Sequence, residues 1–192
     1  MKKSFFIVII ALLWSLGAAA VSGPDPSRKL PDVTIYDCNG QACKLGDKTG
    51  KILISHASWC KPSALMYSHL LKIIDKVVGR ILNDEDEFLA LGSAVAYIVS
   101  PPVPTVLVPV KELSEIQKTA KEMIENEGID KKNLYFITWS EYTSNIHSAI
   151  PVLMLLAKYD GEWYLEKGHS GFRSSEDQII EDMLYDYYLN GF

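Results

Sequence analysis

Ala57-Ser58-Trp59-Cys60-Lys61-Pro62-Ser63 is the stretch on which the fold turns. The short apolar run Lys51-Ile52-Leu53-Ile54-Ser55-His56 precedes it and reads as a buried strand. After it, Leu65, Leu70, Ile73, Ile74 and Val77 recur at helical spacing, with Pro62 suited to a first helical turn. A cysteine between a strand and a helix sits at the helix N-terminus, where backbone N–H groups and the helix dipole favour thiolate over thiol. Lys61 adds a positive charge beside it. Such a thiolate attacks disulfide sulfur at neutral pH, whereas a cysteine buried at a strand end is inert packing.

Outward from this centre, elements alternate. Towards the N-terminus, residues 32–37 put Val33 and Ile35 on one face and Thr34 and Tyr36 on the other, a half-buried strand. Asn39-Gly40 is a hairpin signal, residues 41–45 are the returning strand, and residues 46–50 read as a loop. Towards the C-terminus, Gly79 weakens the end of the helix and residues 83–87 are an acidic, solvated turn. Residues 94–99 read as a second buried strand. Pro101, Pro102, Pro104 and Pro109 then predict a loop excluded from a sheet interior. An amphipathic helix over Leu113 to Ile124 stops at Gly128, and residues 134–138 form a third strand. Residues 152–157 and 162–165 make a hairpin around Asp160-Gly161, and Ser174 or Ser175 caps a last helix. The order predicts an α/β domain with a mixed central sheet, helices on both faces and an N-terminal β-hairpin.

The motif Ser58-Trp59-Cys60-Lys61-Pro62-Ser63 resembles the Trp-Cys-x-Pro-Cys site of thioredoxins, with serine replacing the second cysteine. Leu30-Pro31-Asp32-Val33-Thr34-Ile35, Asn39-Gly40 and residues 51–54 resemble exported thioredoxins of the TlpA and redoxin type. Ile150-Pro151, ahead of an apolar strand, matches the family's cis-proline, and Tyr159-Asp160-Gly161-Glu162 with residues 168–171 matches the hairpin and glycine turn that follow. The resemblance spans about residues 30–190. It implies a thioredoxin-like fold, Cys60 as nucleophile with Trp59, Lys61 and Ser63 around it, and a substrate groove shaped by Pro62, Ile150 and Pro151. It implies protein thiols and disulfides as partners, a low-molecular-weight thiol to finish the cycle, and no cofactor.

The departures from the family are equally specific. Without a thiol at Ser63, a mixed disulfide at Cys60 persists until another thiol attacks it. The family's buried acid falls at Ile54. His56 stands where an aromatic is usual; it either tunes the thiolate and protonates a leaving sulfur, or is a packed, hydrogen-bonded histidine. A peroxiredoxin-type site and a copper-binding Cys-x-x-x-Cys are both absent from the sequence. The alternatives from other classes are a non-catalytic binding or chaperone-like module and a membrane-anchored partner in cytochrome or oxidase assembly.

Residues 1–21 carry Lys2 and Lys3, an apolar run from Phe5 to Leu16 and an Ala-rich end, the pattern of a signal peptide cleaved after Ala20. The organisation expected is a signal over 1–20, a tether over 21–31 and one domain over 32–192, placed in the periplasm or secreted. An uncleaved N-terminus would instead anchor the chain in a membrane. In an oxidising compartment, Cys38 and Cys43 bracket the Asn39-Gly40 turn and read first as a disulfide staple. The other readings are a resolving thiol for Cys60, or free thiols.

Composition narrows the classes. Across 192 residues, 48% are apolar and 22% charged, which excludes disordered and fibrous chains. The 24 acids outnumber 19 bases, for a net charge of −5, which argues against nucleic acid as a partner. Three cysteines are too few for a disulfide scaffold or a zinc module. His69, His147 and His169 lack metal-ligand spacing, and the acidic turn at 83–87 lacks a calcium-loop pattern. No metal is expected.

Overall fold

The apolar runs read from the sequence assemble into seven strands in a computed structural model that describes residues 24–84 and 102–190. The strands are β1 (Thr34–Tyr36), β2 (Ala42–Lys44), β3 (Ile52–Ser55), β4 (Thr105–Val110), β5 (Leu134–Thr138), β6 (Val152–Tyr159) and β7 (Glu162–Ser170). They form one mixed sheet in the order β2-β1-β5-β4-β3-β6-β7. The central strands β3, β4 and β5 are parallel; β1 and β6 flank them antiparallel, and β2 and β7 close the two edges. The helices are α1 (Leu45–Lys48), α2 (Lys61–Asn83), α3 (Ile116–Glu127), α4 (Trp139–Asn145) and α5 (Asp177–Asn190).

Alternation along the central strands separates two cores. Ile52, Ile54, Val106, Val108, Leu134 and Phe136 face one side, under α2, α3 and α5. Leu53, Leu107, Ile137, Val152 and Met154 face the other, with Leu45 of α1 and Tyr142 of α4. Both faces of β3 and β4 are therefore dry, which is why their sequences are continuous apolar runs. On α2 the buried stripe runs Ser63, Met66, Tyr67, Leu70, Ile73, Ile74, Val77 and Ile81. The helix continues through Gly79, because this stripe stabilises it far more than one glycine costs, ~1 kcal/mol against ~1.5–3 kcal/mol per fully buried large apolar side chain. α3 ends where predicted, with Gly128 in the left-handed conformation at φ 68°.

Several expectations change. The strand expected over 94–99 lies outside the described residues. The proline-rich stretch does enter the sheet interior, since residues 105–110 form β4 between β3 and β5. Pro109 is tolerated there for a definite reason. The Leu107 carbonyl accepts from His56 N on the β3 side, and Pro109, two residues on, points to that same side after β3 has ended at Ser55. Its missing N–H thus removes no ladder bond to a neighbouring strand. The expected tether is docked from Pro26 onward: Leu30 is buried, Leu30 N donates to Trp163 O at 2.8 Å, and Lys29 bridges to Tyr164. Residues 46–48, expected as loop, belong to α1, and the 162–165 strand extends to Ser170. Ser174 and Ser175 lie inside a 3-10 turn that leads into α5 rather than capping it.

The Cys38–Cys43 staple is corrected. All three cysteines are free. Cys43 pairs in register with Ile35 and packs into the α4-side core. Cys38 belongs to the opposite core, with its Sγ 3.7 Å from Lys131 O and 3.6 Å from Leu134 O. The side chains leave the hairpin on opposite faces of the sheet, and no disulfide spans that arrangement. β1, β5 and β4 also separate the Cys43 strand from β3, the strand leading to Cys60.

Candidate active site

Cys60 is the N-cap of α2, at the end of the turn that leaves β3. Its N–H donates to Ala57 O at 2.9 Å, and its carbonyl accepts from Ser63 N at 2.9 Å, so the motif is one tight turn opening a helix. Lys61 and Pro62 are exposed in the first helical turn, and Cys60 itself is half-buried. The Sγ lies 3.8 Å from the Ile150 carbonyl, the closest polar contact made by that sulfur. The Ile150–Pro151 peptide bond is cis. The structure therefore brings Cys60, Ile150 and Pro151 together from positions about 90 residues apart.

The strip around Pro151 is tied on every side. Gly171 N donates to Pro151 O at 2.8 Å, and Val152 N donates to Ser55 Oγ at 2.8 Å. The Tyr142 hydroxyl donates to Ala149 O at 2.7 Å. Burial pushes that hydroxyl up to about 12, against a smaller opposing effect from its hydrogen bond with Ser55. Tyr142 thus remains a neutral donor throughout the physiological range.

Trp59 is 69% exposed and meets Trp139 edge-to-face at 6.2 Å between centroids. The two rings open onto a groove of about 400 Å³ that runs along Val108, Pro109 and Lys111 to Glu115 and Lys118. An aromatic rim on an open groove suits an extended peptide better than a small polar ligand.

Ser63 makes no hydrogen bond to the Cys60 sulfur, and His56 is the packed, hydrogen-bonded histidine of its second reading. Ser63 is fully buried on the inner stripe of α2, and its Oγ has no hydrogen-bond partner, Cys60 included. His56 is also fully buried, with Nε2 paired to Glu127 Oε2 at the C-terminal end of α3 and its ring stacked on Tyr67 at 6.4 Å. Its Nδ1 has no partner. Burial, with the nearby charges of Asp130 and Glu127, holds the Tyr67 hydroxyl above its ordinary range. Glu127, Trp139, Tyr142 and His147 were not singled out as site residues from the sequence. Glu127 is merely the last residue of a helix, and Trp139 and Tyr142 belong to a short helical segment without a motif.

The remaining thiols behave as packing. Burial raises Cys38 and Cys43 above the ordinary thiol range, with Lys131 and Lys48 opposing it more weakly. Both then lose their protons only at higher pH than a free thiol, so both stay thiols near neutrality. Brief alkylation with iodoacetamide at about pH 7.5, read by mass spectrometry, is expected to label Cys60 first. Mild oxidation is expected to leave no Cys38–Cys43 linkage; a cross-linked peptide joining them would contradict the face assignment.

Among the described residues, no group of three histidine, cysteine or acidic side chains gathers to hold a metal. Nor, among them, is any helix long and apolar enough to cross a membrane.

No protein-family model and no curated protein matches the chain. Solved structures do. A protein assigned as thiol:disulfide interchange protein DsbE from Chlorobium tepidum superposes with TM-score 0.54 at 16% identity, covering 86% of this chain and 99% of that one. The fold is thioredoxin-like. A protein assigned as a disulfide isomerase from Bacteroides thetaiotaomicron superposes with TM-score 0.52, also at 16% identity, over 88% of this chain and 92% of its own. At such identities the likeness speaks for the thioredoxin-like architecture, within which Cys60 heads the helix that follows the central strand β3.

Proposed function

We propose that this protein is an exported, monothiol thioredoxin-like oxidoreductase or isomerase acting on protein disulfides through Cys60. The observation that carries the reading is the placement of Cys60 Sγ at a helix N-cap, against the Ile150 carbonyl and beside the exposed Trp59. A substrate strand running past residues 150–151 would present its disulfide to that sulfur. The Cys60 thiolate attacks one sulfur of R–S–S–R′, the Cys60–S–S–R bond forms as the R–S–S–R′ bond breaks, and R′–S⁻ leaves and takes up a proton from solvent. A second thiol, on the substrate or on a small molecule, then attacks the mixed disulfide and returns Cys60. Electrons balance without a cofactor: one disulfide is broken and one is made in each step.

Two further parts of the reading stand on other grounds. Export rests on the signal-like residues 1–20, and the structures superposed above are assigned to thiol:disulfide chemistry. The lone thiol rests on Ser63. That same serine, with the exposed Trp59–Trp139 groove, favours a second reading as a binding module that holds partners without turning them over.

Trapping separates the two. The full-length protein, incubated with a scrambled-disulfide substrate and quenched with acid, is expected to form DTT-sensitive adducts that fall to background in Cys60→Ala. Adducts or turnover unchanged by Cys60→Ala would remove the mechanism. Partner retention without any Cys60 adduct would establish the binding module instead.

A further inference from the structure

The sequence has four histidines, and three of them face carboxylates. His56 pairs with Glu127, His69 with Asp177 at 2.9 Å, and His169 with Glu176 at 3.6 Å. His147 differs. Its Nδ1 accepts the N–H of Ala149 at 3.0 Å, and among the described residues no carboxylate pairs with it. A ring nitrogen that accepts an amide N–H carries no proton, so this bond exists only with the neutral imidazole.

What the bond holds is the approach to Cys60. Ala149 is gripped at both ends of its peptide frame, by His147 at the N–H and by the Tyr142 hydroxyl at the carbonyl. The next residue is Ile150, whose carbonyl lies against Cys60 Sγ, and beyond it Pro151 and Val152 are tied to Gly171 and Ser55. Downstream of Ile150 the ties come from Ser55 of β3 and from Gly171 just past β7, and both upstream ties come from α4 and the turn after it. Of these, the His147 bond is the one that a proton can break.

We propose that His147 is a positioning residue for Cys60: unprotonated, it fixes residues 149–151 in the place that a substrate must share with the sulfur, and protonation releases them. The inference rests on the reading of Cys60 as the nucleophile. Two other titratable groups face this strip. Tyr142 from α4 is neutral throughout because burial pushes it up to about 12, and Cys60 faces it from the turn ahead of α2. The core behind Ile146, Ala149 and Ile150 is apolar, lined by Val152, Met154 and Ile137. Protonation of His147 is therefore expected to slow exchange at Cys60, an effect that disappears where residue 147 cannot take up a proton.

Asparagine makes the test, because its Oδ1 stands near the Nδ1 position and accepts an N–H but cannot be protonated there. The experiment uses the 15N-labelled full chain, following the Ala149 amide resonance from about pH 8 to pH 5. Alongside it, the rate of Cys60 reaction with a peptide disulfide is measured in wild type, His147→Asn and His147→Ala. In wild type the Ala149 amide is expected to shift with pH, and in His147→Asn it stays still. His147→Ala is expected to lose about fivefold in rate at about pH 8, the effect of one hydrogen bond, and His147→Asn to restore it. At the acid end of the series, His147→Asn is expected to react faster than wild type. An Ala149 amide insensitive to pH in wild type overturns the proposal. So do superimposable rate profiles for wild type and His147→Asn. A titrating amide beside an inert Cys60 is a different result: it overturns the thiol-exchange reading, and the positioning role with it.

Discussion

Glu127→Ala is expected to destabilise the protein by about 1.5 kcal/mol, towards the low end for leaving a buried polar group without its hydrogen-bond partner. His56 is fully buried, and among the described residues its side chain meets one polar group, the Glu127 carboxylate, while Nδ1 has no partner among them. Deleting the carboxylate leaves both ring nitrogens orphaned in a site closed by Tyr67. Glu127 is partly exposed, at 19% of its side chain, so water replaces some of what is lost, and the low end of the range applies. For a domain of this size, a loss of that magnitude lowers Tm by roughly 3–6 °C. Glu127→Gln keeps an acceptor for Nε2 and is expected to cost about 1 kcal/mol. Thermal unfolding of both variants checks this. Equal Tm values for wild type and Glu127→Ala would mean that the pair contributes nothing.

Ser63→Cys is expected to shorten the life of a Cys60 mixed disulfide by at least about 100-fold, because an intramolecular thiol replaces a bimolecular one. The site is ready for it. Ser63 Oγ is buried without a partner, so the substitution forfeits no hydrogen bond. The Ser63 N–H to Cys60 carbonyl bond closes a turn between the two positions. Such a turn keeps the Cα atoms within about 7 Å, against the ~4.4–6.8 Å that a disulfide takes. Adduct decay after a single pulse of substrate, followed on non-reducing gels, gives the lifetime directly. Unchanged decay would show that the serine is not what makes the adduct persist, and the monothiol cycle would need another basis.

Local pattern carried much of the architecture. Alternating Val33 to Tyr36, the apolar run at 52–54, the helical positions Leu70, Ile73, Ile74 and Val77 and Asp160-Gly161 each appear where their residues predict, whereas Leu65, read into the same stripe, is exposed and Met66 is buried in its place. These are short-range signals, set by strand and helix periods and by turn chemistry. Prediction failed where the outcome depended on a neighbour. Pro109 reads as a breaker until it is known that β3 stops at Ser55, leaving that side of β4 without a ladder to interrupt. Cys38 and Cys43 read as a staple until the hairpin register sends them to opposite cores. Leu30 reads as part of a tether until Trp163 offers its carbonyl and the second core covers the side chain.

The candidate site divides in the same way. Cys60 at a helix start, Trp59 beside it and serine at the third position beyond are properties of seven consecutive residues, legible because a strand–turn–helix is a local structure. Glu127 beneath His56, Trp139 beside Trp59, and Tyr142 and His147 holding the strip against the sulfur are not legible in that way. Each joins the site through contacts formed only when β4, β5 and β6 stack beside β3. The sequence by itself singled out the sulfur on which the proposed function rests, since a cysteine at a helix start is a local feature. Only the tertiary structure decided what faces that atom, because contacts between distant segments depend on strand order and register, which no local period encodes.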